Sequence, residues 1–202
     1  MKEFHLTEDQ QDCLQELINI AMGQASDQLA RYLDTFVYLK VPSIESVAAA
    51  ELIKSLSQQQ DTMAIVSQGF FANEGIRGEA LLVYQEKDSG RIADLLGYEP
   101  GELSQDEQLI DISSILTTTF LNVFAQQIGN QMSYNAPKLL PSVQNNLSQH
   151  LQQMTFSWDL ALKVNINYQV TDYSFNCNMI LLIPGAAILN IKSVLDRILA
   201  EF

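Results

Sequence analysis

Cysteine and histidine are scarce in this chain of 202 residues: Cys13 and Cys177 are the thiols, His5 and His150 the imidazoles. No spacing among the four matches a zinc site, and two cysteines cannot build a disulfide framework. Positive charge is also sparse. Eleven Lys and Arg stand against 24 Asp and Glu, a net charge of −13, so nucleic-acid phosphates and anionic lipid would both repel the chain. The longest apolar run, from Met179 to Leu189, is broken by Pro184 and Gly185 and is too short to span a bilayer. The opening MKEFHLTEDQ lacks the apolar core of an export signal. Glycine-rich phosphate loops are missing, both the P-loop and the dinucleotide fingerprint. The expectation is a cytoplasmic protein with no metal site, no membrane insertion and no nucleic-acid partner.

What is present is a core. Apolar residues make up 47% of the chain and charged ones 17%, a balance that folds rather than stays disordered. Leu14, Leu17, Ile18, Ala21, Met22, Ala25, Leu29 and Leu33 recur at three- and four-residue steps. They predict one long amphipathic helix over about 8–33, opened by a capping box of Thr7 and Gln10. Phe36 to Pro42 reads as a strand and 46–53 is ambiguous. Met63–Phe71 and Gly75–Tyr84 read as a hairpin around Ala72–Gly75. A short helix is expected over Ser89–Leu96, then a second long helix over about 105–132, capped by Ser104 and Glu107. A polar stretch, Gln144–Gln153, follows. Strands near Leu160–Val170 and Tyr173–Ile183 and a last helix over about 187–200 complete the order.

That order runs twice. ALLVYQEKDSGRIADLL, from Ala80, aligns without gaps on MILLIPGAAILNIKSVL, from Met179. Halves of about 100 residues would each bury too little surface alone. The pattern therefore predicts one α/β domain over 1–202 built from two repeats, about 1–100 and 101–202. A pseudo-twofold axis relates them, and two long helices pack on an antiparallel β-sheet.

Opposite the apolar face of the first helix, Asp12, Glu16, Asn19 and Gly23 fall at i, i+4, i+7 and i+11. At 100° per residue they form a narrow stripe, so a carboxylate and a carboxamide three residues apart can reach one external object. A glycine there costs helix stability, about 1 kcal/mol relative to Ala, and makes sense where another backbone approaches. Ordinarily such a stripe is only a solvated face. Here it belongs to a longer pattern, Asp12-x3-Glu16-x2-Asn19, with twenty-two residues intervening before Pro42.

This pattern resembles the signature of the CheC/CheX/FliY family of chemotaxis phosphatases. DCLQELINIAMGQASDQL, with Asn19-Ile20-Ala21-Met22-Gly23 at its centre, is similar to that family's first long helix. The resemblance implies removal of phosphate from the aspartyl-phosphate of a CheY-like response regulator. Asn19 would position the attacking water and Glu16 would hold the receiver in register through a lysine beside its phosphorylation site. Asp12 and Pro42 would support, as a helix-surface contact and a strand turn. The chain would need no cofactor of its own, since the Mg2+ belongs to the receiver.

The second half departs from the pattern. Asn122 lies 103 residues after Asn19, but Thr119, Ile115 and Gln126 stand where Glu16, Asp12 and Gly23 are matched. A site without its carboxylate would dock a receiver poorly, so Asn122 marks a degenerate second site and one productive site per chain is expected. Cys13 has no neighbouring His or basic cluster that would make it a nucleophile. Cys177 and Trp158 read as packing residues, and His150 shows no paired carboxylate or serine. The rival reading is a non-catalytic adaptor that docks on a receiver, a CheD-like protein or a flagellar-switch protein. A homodimer through an exposed sheet edge also stays open.

Overall fold

The structure, a computed structural model, describes residues 6–48, 51–52, 54, 63–85, 103–140, 149–150, 160–170 and 175–201. The expected helix at Ser89–Leu96 and Trp158 lie outside these, as does most of the Ala80–Leu96 half of the internal alignment.

Helix α1 spans Glu8–Leu33, and its capping box forms as read. Thr7 Oγ1 accepts from the Gln10 amide at 3.3 Å, and Gln10 Oε1 accepts from the Thr7 amide at 3.0 Å. Every residue of the predicted apolar face is buried, with Ala21, Ala25 and Leu29 fully so. Helix α2 spans Gln105–Gln127, opened by the Ser104–Glu107 box. It stops five residues short of the expected end at Met132. Gly129 adopts φ 64°, a left-handed conformation that glycine takes without strain. Its amide bonds the Gln126 carbonyl at 3.1 Å and that of Asn130 bonds Ala125 at 2.8 Å. That double closure satisfies the last carbonyls of the helix and turns the chain into a strand. α2 alone among the described helices is long and apolar enough to cross a bilayer, and it packs in the core instead.

The strands are β1 (Val37–Ala48), β2 (Met63–Ala72), β3 (Arg77–Gln85), β4 (Met132–Tyr134), β5 (Lys138–Leu140), β6 (Leu160–Val170) and β7 (Phe175–Pro184). All pairings are antiparallel, in the order β1-β6-β7-β3-β2-β4, with β5 also on β2. Helix α3, Gly185–Leu199, closes the described chain. The α/β class with long helices on an antiparallel sheet is as expected. At the centre of the sheet β3 faces β7 with Leu81 opposite Ile180, the two positions equated by the sequence offset between the halves. The local twofold of that strand pair therefore coincides with the internal alignment.

β1 runs well past its expected end at Pro42. Its register on β6 shifts between Lys40 and Ser43, so Pro42 sits in a bulge within the strand rather than in a turn after it. A bulge tolerates a residue that has no N–H to donate. The same bulge blunts the outer edge of β1, which has no strand partner among the described residues.

One core fills the space between the sheet and the helices. Ala80, Leu82 and Tyr84 of β3 join it from beneath α1 and α2, as do Leu162, Val164, Ile166 and Tyr168 of β6. Phe120 of α2 is fully buried and stacks on Phe124 with ring centroids 6.2 Å apart. Phe120→Ala is expected to cost about 3–5 kcal/mol, read as a lowered denaturant midpoint. Asn122→Ala, two residues on but exposed, should shift stability by no more than about 0.5 kcal/mol.

Candidate functional site

The stripe of α1 faces outward because the opposite face is fixed in the core. Asp12, Glu16 and Gly23 are exposed and Asn19 is half-buried. Helix geometry holds the four within about 60° of arc and sets Glu16 and Asn19 about 4.5 Å apart along the axis. Gln15, one turn before Asn19, donates its Nε2 to Asn19 Oδ1 at 3.4 Å. A carboxamide oxygen carries two lone pairs, so Asn19 keeps one acceptor position and both N–H donors for an incoming group. Gln127 of α2 ties the same stretch of helix from behind, its Nε2 donating to the Leu17 carbonyl at 3.0 Å.

Pro42 also comes to this site. It is buried and, with Ser43 and Ile44, faces Gln11, Asp12 and Gln15 across a polar pocket of about 220 Å³. The bulge in β1 thus sets a wall along one flank of the stripe. The other flank is a trough of about 450 Å³ between α1 and the end of α3, where Asp12 and Glu16 overlook Leu17, Ile20, Ile198 and Leu199. A side chain at Gly23 would meet nothing within 4 Å, so nothing in the described chain requires glycine there. Among the described residues no group of three or more His, Cys, Asp or Glu is arranged to hold a metal ion.

On α2, Asn122 is exposed, as is Gln126, while Thr119 and Ile115 are half-buried. No carboxylate stands one turn before Asn122, and the helix offers there no counterpart of the Glu16–Asn19 pair.

His150, for which the sequence shows no partner, has two in the structure. Its Nε2 lies 2.8 Å from Ser67 Oγ and 3.1 Å from Glu79 Oε1, and Ser67 also donates to Glu79. Both partners are almost fully buried on the sheet face away from α1. Serine and carboxylate share one ring nitrogen, whereas a catalytic relay needs them on opposite nitrogens. The cluster satisfies a buried carboxylate. Glu79, next to the apolar run Ala80–Tyr84 of β3, was its one sign in the sequence. Burial pushes the Cys177 thiol well up from its ordinary range and raises that of half-buried Cys13, so neither is held as a reactive thiolate.

No family model matches the chain, and no curated protein does. Solved structures do. FliY of Thermotoga maritima superposes with a TM-score of 0.66 at 18% identity, covering 95% of this chain and 98% of that one. The FliM middle domain of H. pylori gives 0.66 at 13% identity, over 94% and 99%. The CheX of a CheX–CheY–BeF3–Mg2+ complex from Borrelia burgdorferi is found through a match of TM-score 0.53 at 11% identity, over 84% and 96%. The chain thus has the fold shared by FliY, the FliM middle domain and CheX, the fold of the CheC/CheX/FliY family.

Proposed function

We propose that the chain is a phosphatase acting on the aspartyl-phosphate of a CheY-like receiver domain in chemotaxis or two-component signalling, and that it works in the cytoplasm. The observation that carries this reading is the pairing of Glu16 with Asn19 on the exposed face of α1, on a fold that CheX also has when bound to CheY. An acyl phosphate is intrinsically labile, so the main catalytic need is a water held in line with the scissile P–O bond. The free lone pair of Asn19 Oδ1 accepts from that water while Nδ2 donates to a neighbouring oxygen. Water oxygen bonds to phosphorus as the bond to the receiver's aspartate breaks. Inorganic phosphate and the free carboxylate result, the water's proton passing to phosphate or solvent. Mg2+ is held by the receiver. Glu16 pairs with a receiver lysine, which supplies register more than affinity.

The two halves, about 1–100 and 101–202, are read as copies of one unit, of which the first kept the site. The pairing of Leu81 with Ile180 supports this. So does the position of Asn122 on α2 without a carboxylate before it.

The test is the decay of a phosphorylated cognate receiver. Wild-type protein should accelerate it, and Asn19→Ala should reduce the acceleration about a hundredfold or more while receiver binding persists. Glu16→Ala should raise KM, most strongly at low salt. The adaptor reading draws on the likeness to the FliM middle domain, a protein also solved in complex with FliG. Binding without acceleration across all cognate receivers would establish it and overturn the phosphatase.

Gly23 gives a separate check. Gly23→Ala should stabilise the free domain by about 0.5–1 kcal/mol, since the added methyl meets open space in a helix. If the receiver backbone lies against this position, the same change weakens receiver binding. Stabilisation with unchanged binding would remove Gly23 from the interface.

A further inference from the structure

The trough beside the stripe has a chemistry of its own. Its floor is apolar, formed by Leu17 and Ile20 of α1 and by Ile198 and Leu199 of α3. Ile20 is 41% exposed, so its side chain is open to a partner at this floor. Three carboxylates, Asp9, Asp12 and Glu16, stand along the α1 rim, and no Lys or Arg lines the trough among the described residues. The one basic side chain in the last turn of α3, Arg197, is turned away to Glu74 at 3.2 and 3.4 Å.

The far wall is held in place. Gln10, almost fully buried, donates its Nε2 to Asp196 Oδ1 at 2.7 Å and ties the end of α3 to the first turns of α1. A wall fixed in the free protein does not have to be ordered on binding, which lowers the cost of association.

We propose that this trough is a second contact surface for the receiver, taking an amphipathic helix that carries an apolar ridge and at least one Lys or Arg along one side. The inference rests on the receiver reading of the stripe and extends it. The apolar ridge would fill the space over Ile20 and Leu199. The basic flank would face Asp9, Asp12 and Glu16, on a chain whose net charge is −13. Asp12 and Glu16 line the trough as well as the stripe, so one partner domain can cover both without a gap. The stripe would then set the chemistry while the trough supplies selectivity among receivers, through the length and charge of the helix each presents.

The test uses full-length protein and a cognate receiver, phosphorylated for kinetics and beryllofluoride-activated for binding. Ile20→Asp and Leu199→Asp should each raise KM by about tenfold, the loss expected for one packed apolar anchor, with kcat unchanged. Asp9→Lys should weaken binding less, and its effect should fade at high salt. Cys13 also lines the trough and is half-buried, so alkylation of its thiol by maleimide should slow when the activated receiver is added. This protection is read on wild-type protein and does not depend on any variant folding.

Unchanged KM in both apolar variants, with Cys13 alkylated at the same rate in the complex, would overturn the trough while leaving the stripe intact if Asn19→Ala still abolishes acceleration. A change of oligomeric state in Ile20→Asp by sedimentation, with unaltered receiver KM, would assign the trough to a second copy of this chain and equally overturn the proposal. Absence of any receiver binding by wild-type protein would instead bring down the reading of the stripe itself.

Discussion

Everything at the candidate site depends on the burial of one face of α1. Leu14, Ile18, Ala21, Ala25 and Leu29 are at most 1% exposed, locked between the sheet and α2. Two of them are alanines, which let the neighbouring helix come close. A helix pinned along that face cannot roll, so Asp12, Glu16, Asn19 and Gly23 have a fixed outward direction. Catalysis by positioning needs this kind of rigidity, because a carboxamide that wanders by an ångström no longer aims a water. Gln127 reaching the Leu17 carbonyl and Gln15 reaching Asn19 Oδ1 secure the same stretch. Interactions within α1 and from α2 thus meet at the residues of the stripe.

The sheet joins the early strands of the chain to the late ones. β1 belongs to the first half but pairs with β6 of the second, while β4 and β5 of the second half pair with β2 of the first. Early and late strands therefore cover one another's edges, and β3 against β7 joins them at the centre. The bulge at Pro42 has two consequences in this arrangement. It keeps the outer edge of β1 from presenting an unbroken ladder, and it places Pro42 and Ser43 against Asp12 and Gln15. A strand irregularity thus becomes one wall of the site.

The elements were legible where periodicity and capping agreed. α1 and the start of α2 followed from three- and four-residue spacing and from Thr7–Gln10 and Ser104–Glu107, which are purely local signals. The end of α2 was misplaced because Ile128 and Met132 continue the apolar pattern, and only the left-handed Gly129 breaks it. The stripe was legible because helical spacing converts directly into a face. Long-range facts were not. Nothing local reveals that His150 meets Glu79 from 71 residues away, that β1 crosses to β6, or that the end of α3 forms one wall beside Ile20. Those pairings arise from tertiary packing, where a residue's partner is set by topology rather than by its neighbours in the chain.

On the proposed function, a phosphorylated receiver meets this chain at the stripe of α1. A crystal structure of the complex with a beryllofluoride-activated cognate receiver tests it most directly. The receiver's phosphorylation site is expected over α1, with the Asn19 carboxamide within hydrogen-bond reach of the beryllofluoride or of a water in line with it, and Glu16 paired to a receiver lysine. A receiver seated on α2 around Asn122, or on the far face of the sheet, would contradict it.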